Sequence, residues 1–260
     1  MTLRHVLVEG PDDVAALCEL STRLLGCAGS PRAQGVPRPE RSAVRLTSNG
    51  AEVQIRAATA AKDSIPRALV FGSLPPQLVD DEAQVDRVAF FFDPDADAPN
   101  AFVDRVDREL RKNLQRWIAT REAPDRWTLA RPNEAAVSLR AVAWGADGPP
   151  IGGLDDFQNL ERLLCRVMGT AYPDLETCVA AWLAQITAKR RDLSLRAPKW
   201  KTAVLLWAAL VDEAATSDAG IPSRFLGQHK HALGGDFFAD HVAPRVQAAG
   251  LDEPLAWTFG

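Results

Sequence analysis

Three carboxylates, Asp93, Asp95 and Asp97, stand at alternating positions directly after an apolar run in Arg87-Val-Ala-Phe-Phe-Phe-Asp-Pro-Asp-Ala-Asp97. No Lys or Arg lies among them, so in the folded chain they repel one another unless a cation sits between them. A divalent metal ion is the simplest remedy. The competing reading is a solvated turn, because Asp and Pro are ordinary turn residues and strands often end in such clusters. An EF-hand loop fits less well. Asp93, Asp95, Asp97 and Asp104 fall at loop positions one, three, five and twelve, but position six is Ala98 rather than Gly, and a strand rather than a helix leads in.

The position of these acids depends on the elements before them. Val88 to Phe92 is too short for a helix, rich in aromatic and β-branched residues, and apolar on both faces, as a central strand of a covered parallel sheet should be. His5-Val-Leu-Val-Glu9 is a second strand of this type, followed by Gly10-Pro11-Asp12-Asp13, a helix start with Pro near the first position and acids in the first turn. In open α/β sheets ligands bind outside the carboxyl ends of the strands. If both strands are central and parallel, Glu9 faces Asp93 across that edge.

The remaining pattern fills out an α/β half. Val44 to Thr47 and Glu52 to Ala57 flank Asn49-Gly50, a strong hairpin signal. Lys62 to Leu69 reads as helical, weakened by Pro66, and a long helix is expected from about Ala101 to Thr120 with the stripe Phe102, Val106, Leu110, Leu114 and Trp117. Trp127 to Ala130 and Ala136 to Trp144 read as strands. From Leu154 the pattern turns helical, with helices over Phe157 to Met168, Leu175 to Lys189 and Lys201 to Ala214. The expectation is therefore an α/β fold with a mostly parallel sheet and helices on both faces over residues 1–152, and a helical extension over 153–260.

Composition narrows the function classes. The 260 residues carry 30 Lys and Arg against 34 Asp and Glu, a net charge of −4, so there is no global attraction to nucleic acid or anionic membrane, and contact with either would rest on a local basic patch. The four cysteines, Cys18, Cys27, Cys165 and Cys178, form no CxxC pair. They are expected to be reduced thiols, which points to a cytoplasmic protein. No leader segment is expected before the first strand, and no apolar run approaches a membrane span.

A Glu-Gly turn followed by Asp-x-Asp at a later strand end resembles the TOPRIM domain of topoisomerases, primases, small ribonucleases and OLD-family nucleases. The resemblance rests on "VLVEGPDD" and "AFFFDPDAD". A topoisomerase would need a nucleophilic tyrosine, and the one tyrosine, Tyr172, lies outside the α/β half. The cysteine spacing for a primase zinc domain is missing, and no GxxxxGK[ST] segment occurs. The chain thus looks like a stand-alone, OLD-nuclease-like TOPRIM protein. Such proteins continue with an LE-x-LL helix, here Leu160-Glu161-Arg162-Leu163-Leu164.

The resemblance implies that Glu9 acts as general acid/base and that Asp93 and Asp95 hold Mg²⁺, with Mn²⁺ as a substitute. It also implies Asp13 as a second metal-site acid, and Asp97 and Glu161 as further candidates. For Asp13 the bland reading is a helix-start acid, and for Glu161 a surface charge on a helix. The chemistry implied is phosphodiester cleavage in DNA or RNA, with the cation on a phosphate oxygen and a carboxylate taking the proton.

Lys189, Arg190, Arg191, Arg196, Lys199 and Lys201, with Trp200 among them, are the candidate contacts to a nucleic-acid backbone, the alternative being a solvated linker. His229, Lys230, His231, Asp236 and His241 fit no metal signature and read as ordinary surface. The expected function is a Mg²⁺-dependent nuclease, the effector of an anti-phage defence system working with a separate ATPase, with self-association left open. The alternative is a TOPRIM-fold subunit that binds or docks without catalysis. A haloacid-dehalogenase-like phosphatase with Asp93 as nucleophile is disfavoured, because Asp-Pro-Asp-Ala-Asp lacks the Thr or Val expected two residues after the second Asp.

Overall fold

The structure is a computed structural model that describes residues 2–29, 43–57, 84–94, 99–113, 117–133, 135–189, 199–211, 225–226 and 235–260. Its α-carbon contacts divide the chain into two units, 1–143 with 253–260, and 144–252.

The first unit is built on an eight-stranded sheet. Strand β1 is Thr2–Val8 and helix α1 is Pro11–Leu25; then come β2 (Ala28–Gly29), β3 (Ala43–Ser48), β4 (Ala51–Ala57) and β5 (Gln84–Phe92). Helix α2 (Pro99–Asn113) precedes β6 (Ile118–Ala123), β7 (Arg126–Ala130) and β8 (Val137–Ala143). The strand order is β2-β3-β4-β1-β5-β8-β7-β6. The four central strands β4, β1, β5 and β8 run parallel, and antiparallel pairs close both margins. This is the expected α/β fold.

Local sequence explains several of these elements. Pro11 opens α1 with Asp12 and Asp13 in its first turn, and Gly26 at φ 67° ends it, its N–H bonded to the Thr22 carbonyl. Asn49 at φ 47° and Gly50 at φ 79° turn the β3–β4 hairpin, both in the left-handed region that a type I′ turn demands. In β5, Val88, Ala89, Phe90, Phe91 and Phe92 are all buried, as the doubly apolar run predicts.

Topology places one point of the sheet apart from the rest. The chain leaves β1 outward to β4 on one side, returns to β5, and leaves outward to β8 on the other. Because parallel crossovers are right-handed, these opposite excursions put α1 and α2 on opposite faces, and the gap between the carboxyl ends of β1 and β5 is the switch point of the sheet. On the α2 face, Phe102, Val103, Val106 and Leu110 pack with Leu7, Val88, Phe90, Phe92, Leu139 and Ala141. The Phe102 ring stacks on Phe92, centroids 3.7 Å apart, and pins the start of α2 beside the end of β5.

The second unit is helical: α3 (Leu160–Ala171), α4 (Pro173–Lys189), α5 (Trp200–Val211) and a π-helical turn Phe238–Val242 that runs into α6 (Ala243–Ala248). Asn159 caps α3, its side-chain oxygen accepting from the Arg162 N–H at 2.8 Å. Arg162 is 2 % exposed; its guanidinium donates to the Phe157 carbonyl, pairs with Asp156 and lies over the Trp200 ring.

Three expectations differ from the observed structure. The helix foreseen from Ala101 to Thr120 ends at Asn113, and Ile118 onward is strand β6; Trp117 packs against the sheet core instead of extending the helical stripe. The helical unit begins at Trp144 rather than near residue 153. The last helix, α7 (Asp252–Phe259), has its residues from Glu253 onward in the first unit, where Arg4 and Arg87 of the sheet donate to its Phe259 and Trp257 carbonyls and Leu255 and Phe259 are buried. The helix expected over Lys62 to Leu69 lies outside the described residues. Among the described residues no helix is long and apolar enough to cross a membrane.

Candidate functional site

The first and fifth strands are adjacent and parallel, with Leu7 level with Phe90, so Glu9 and Asp93 emerge side by side at the switch point. The join is direct. The Asp93 backbone N–H donates to Glu9 Oε1 at 3.0 Å. Both residues are half-buried, where a carboxylate still reaches solvent yet feels less than the full screening of bulk water.

The turn that presents Glu9 is bonded on both sides of Gly10. Asp13, 6 % exposed, accepts the Gly10 N–H on its Oδ2 at 2.8 Å, while the Gly10 carbonyl accepts from the Val14 N–H at 3.3 Å. Gly10 itself is extended, at φ −146° and ψ 175°, as a residue before proline should be. This conformation is open to any residue, and a Cβ there would meet Asp13 Oδ2 at 3.6 Å, an ordinary contact.

The other candidate residues fall as follows. Asp95 and Asp97 lie outside the described residues. Among the described residues no three His, Cys, Asp or Glu side chains gather as a metal-binding group. Glu161 is half-buried in the first turn of α3, in the second unit, where its charge helps push the buried Cys165 thiol up, after burial itself. Lys189 ends α4, Lys199 precedes α5 and Lys201 lies in the first turn of α5; all three are exposed. Arg190, Arg191 and Arg196 lie outside the described residues, as do His229, Lys230 and His231. Asp236 accepts from the Phe238 and Ala239 N–H groups, an ordinary helix cap, and His241 lies against the Phe237 ring.

Chemically, Glu9 and Asp93 are hard oxygen donors of the kind Mg²⁺ or Mn²⁺ takes, and the pair fits such an ion as part of a ligand set. Residue types and strand ends were enough to foresee that Glu9 and Asp93 lie side by side. The capping bond of Asp13 was signalled only by its place three residues past Gly10, which the spacing shares with a ligand.

No protein-family model matches the chain, and no curated protein matches it. Among solved structures, a hypothetical protein from Pyrococcus horikoshii OT3 superimposes over 100% of both chains with a TM-score of 0.64 at 13% identity. A putative glyoxalase family protein from Bacillus anthracis aligns with 55% of this chain and 95% of its own at 16% identity, with a TM-score of 0.18, too low to describe a shared fold. The Pyrococcus protein shares the fold of this chain.

Proposed function

We propose that the chain is a Mg²⁺-dependent nuclease in which Glu9, Asp93 and Asp95 carry phosphodiester cleavage. The observation that supports this is the meeting of Glu9 and Asp93 at the carboxyl edge of two parallel strands, at the switch point where open α/β sheets place their ligands. In this reading the Asp93 and Asp95 carboxylates hold the cation. A bound cation would supply Lewis acidity toward a phosphate oxygen, and Glu9 would take the proton from the attacking water. The exposed Lys189, Lys199 and Lys201 offer point charges to a phosphate backbone. The proposal includes a cytoplasmic setting in anti-phage defence, with a separate ATPase as partner.

A second reading draws on the same bond. Glu9 Oε1 is engaged by a backbone N–H, so Glu9 also serves as a clamp between two strand ends, as it would in a binding subunit without catalysis. Substitution separates the two. In Glu9→Gln the amide oxygen still accepts the Asp93 N–H, so the clamp survives while the base is lost.

The nuclease reading expects Glu9→Gln to lower cleavage by about 10²- to 10⁴-fold, with metal binding partly kept. Asp93→Asn should abolish cleavage and weaken Mn²⁺ binding. Both should melt at or above the wild-type temperature, because each removes one charge from the neighbouring Glu9 and Asp93. The measurement is cleavage of DNA and RNA panels with Mg²⁺ or Mn²⁺, with and without a candidate ATPase, beside thermal melts. Wild type and variants equally inert under every condition would favour the binding-subunit reading.

A further inference from the structure

Glu9 can act as a base only if its carboxylate is held in one place, and a side chain at a strand end is held no better than the turn behind it. Here that turn is fixed from one residue. The Asp13 carboxylate, buried and 2.8 Å from the Gly10 N–H, holds the Glu9–Gly10 peptide plane, and that plane sets the direction in which Glu9 leaves the strand. The helix bond from Val14 to the Gly10 carbonyl and the extended conformation imposed by Pro11 hold the following peptide. Glu9 then reaches Asp93 across the strand gap. The bonds therefore run Asp13 to Gly10, along the backbone to Glu9, and on to Asp93.

We propose that Asp13 is a positioning residue for the Glu9–Asp93 pair, acting through the Gly10 amide and not as a metal ligand. This rests on the nuclease reading for its catalytic consequence, though not for its geometry. A positioning role needs an acceptor oxygen at residue 13 and no charge. A ligand role needs the charge. Asn supplies the oxygen without the charge, and Ala supplies neither, so the two variants discriminate.

The experiment uses the full chain in three forms, wild type, Asp13→Asn and Asp13→Ala. It measures amide hydrogen exchange at Gly10 and Asp93, Mn²⁺ affinity and cleavage rate. Asp13→Ala is expected to speed exchange at both amides and to lower kcat by about 10- to 100-fold, the loss a small misplacement of a catalytic group produces. Asp13→Asn is expected to protect both amides as wild type does, to hold Mn²⁺ equally well, and to recover most of the lost rate.

Two results overturn the proposal: a Mn²⁺ affinity that falls by more than about 100-fold in Asp13→Asn, beyond what the loss of an outer-shell partner produces, or exchange at Asp93 that is unchanged in Asp13→Ala. If the wild-type chain binds no metal and cleaves nothing, the nuclease reading fails by itself, and the two exchange rates still decide whether Asp13 holds the pair. A melting measurement on each variant excludes global unfolding as the source of faster exchange, because unfolding would speed every core amide together.

Discussion

Burial decides which of the four cysteines reacts, and sequence alone could not rank them. Cys165 is buried in α3, and burial first, then the charges of Glu161 and Glu176, push its thiol far up. Cys18 in α1 is pushed up to about 12, again chiefly by burial, with Glu19 adding to it. Cys27 is buried, while Cys178 is exposed on α4. Since the thiolate is the nucleophile, a raised pKa and lost access act in the same direction. A native sample treated with a thiol-reactive dye at about pH 8 is therefore expected to show one fast equivalent, with the other three released only on denaturation. Cys178→Ser should remove the fast phase. A fast phase that survives in that variant would place a second reactive thiol on the surface, with the half-buried Cys18 the first candidate.

Elements differed in legibility according to how much of their pattern the core dictates. Strands β1 and β5 are covered on both faces, so their apolar runs announced them, and Glu9 and Asp93 followed as strand-end residues. The β3–β4 hairpin was announced by Asn49-Gly50, because few residues accept positive φ. Strand β6 was hidden. It is an edge strand whose Ile118, Thr120, Arg121 and Glu122 are all exposed, so it has no apolar alternation, and Leu114 and Trp117 extended the apparent stripe of α2 into it.

Beyond apolar packing, α2 is tied to the β-strands by Asp104, paired with Arg121 of β6 at 3.1 Å, and by Asp107, which accepts from Arg111 Nε and from the Trp127 indole N–H, both at 2.8 Å. The Arg111 hydrogen bond first, and the Trp127 bond with it, hold the Asp107 carboxyl below the usual range against an opposing effect of burial. A folded pKa below the unfolded one gives stability that is present above the unfolded value, about 3.9, and is lost as the pH falls through the folded value. Asp107→Asn should therefore cost about 1 kcal/mol near neutral pH. The variant and wild-type melting temperatures should converge as the pH falls below the unfolded carboxyl value, about 3.9, and on through the lower folded one. A difference that is constant from neutral pH to acid would assign the loss to packing instead.

At the scale of the whole molecule, the chain closes the first unit with its last residues, and two kinds of force compete for the credit. Arg4 and Arg87 stand level on β1 and β5, and Arg140 lies nearby on β8. Arg4 donates to the Phe259 carbonyl at 3.0 Å and Arg87 to the Trp257 carbonyl, favourable placements for cations at a helix carboxyl end. Arg87 and Arg140 both lie against the Trp257 ring, and Arg126 and Arg140 bind the Glu253 carboxylate at 2.6 Å each.

The arginine row carries its own cost: burial first, and then repulsion from Arg87, lower the pKa of Arg4, a sign that its charge is not fully compensated by Asp86. The apolar side of the same helix has no such opposing effect, since Leu255 is 1% and Phe259 0% exposed. Emptying a buried Phe site costs about 3–5 kcal/mol, whereas the Glu253 side chain is 57% exposed and its ion pairs are screened to less than about 1 kcal/mol. Phe259→Ala should therefore lower the urea midpoint of the first unit strongly, and Glu253→Gln should barely move it. The opposite order in urea titrations of the two variants would mean that the arginines, and not the buried ring, hold the last helix to the sheet.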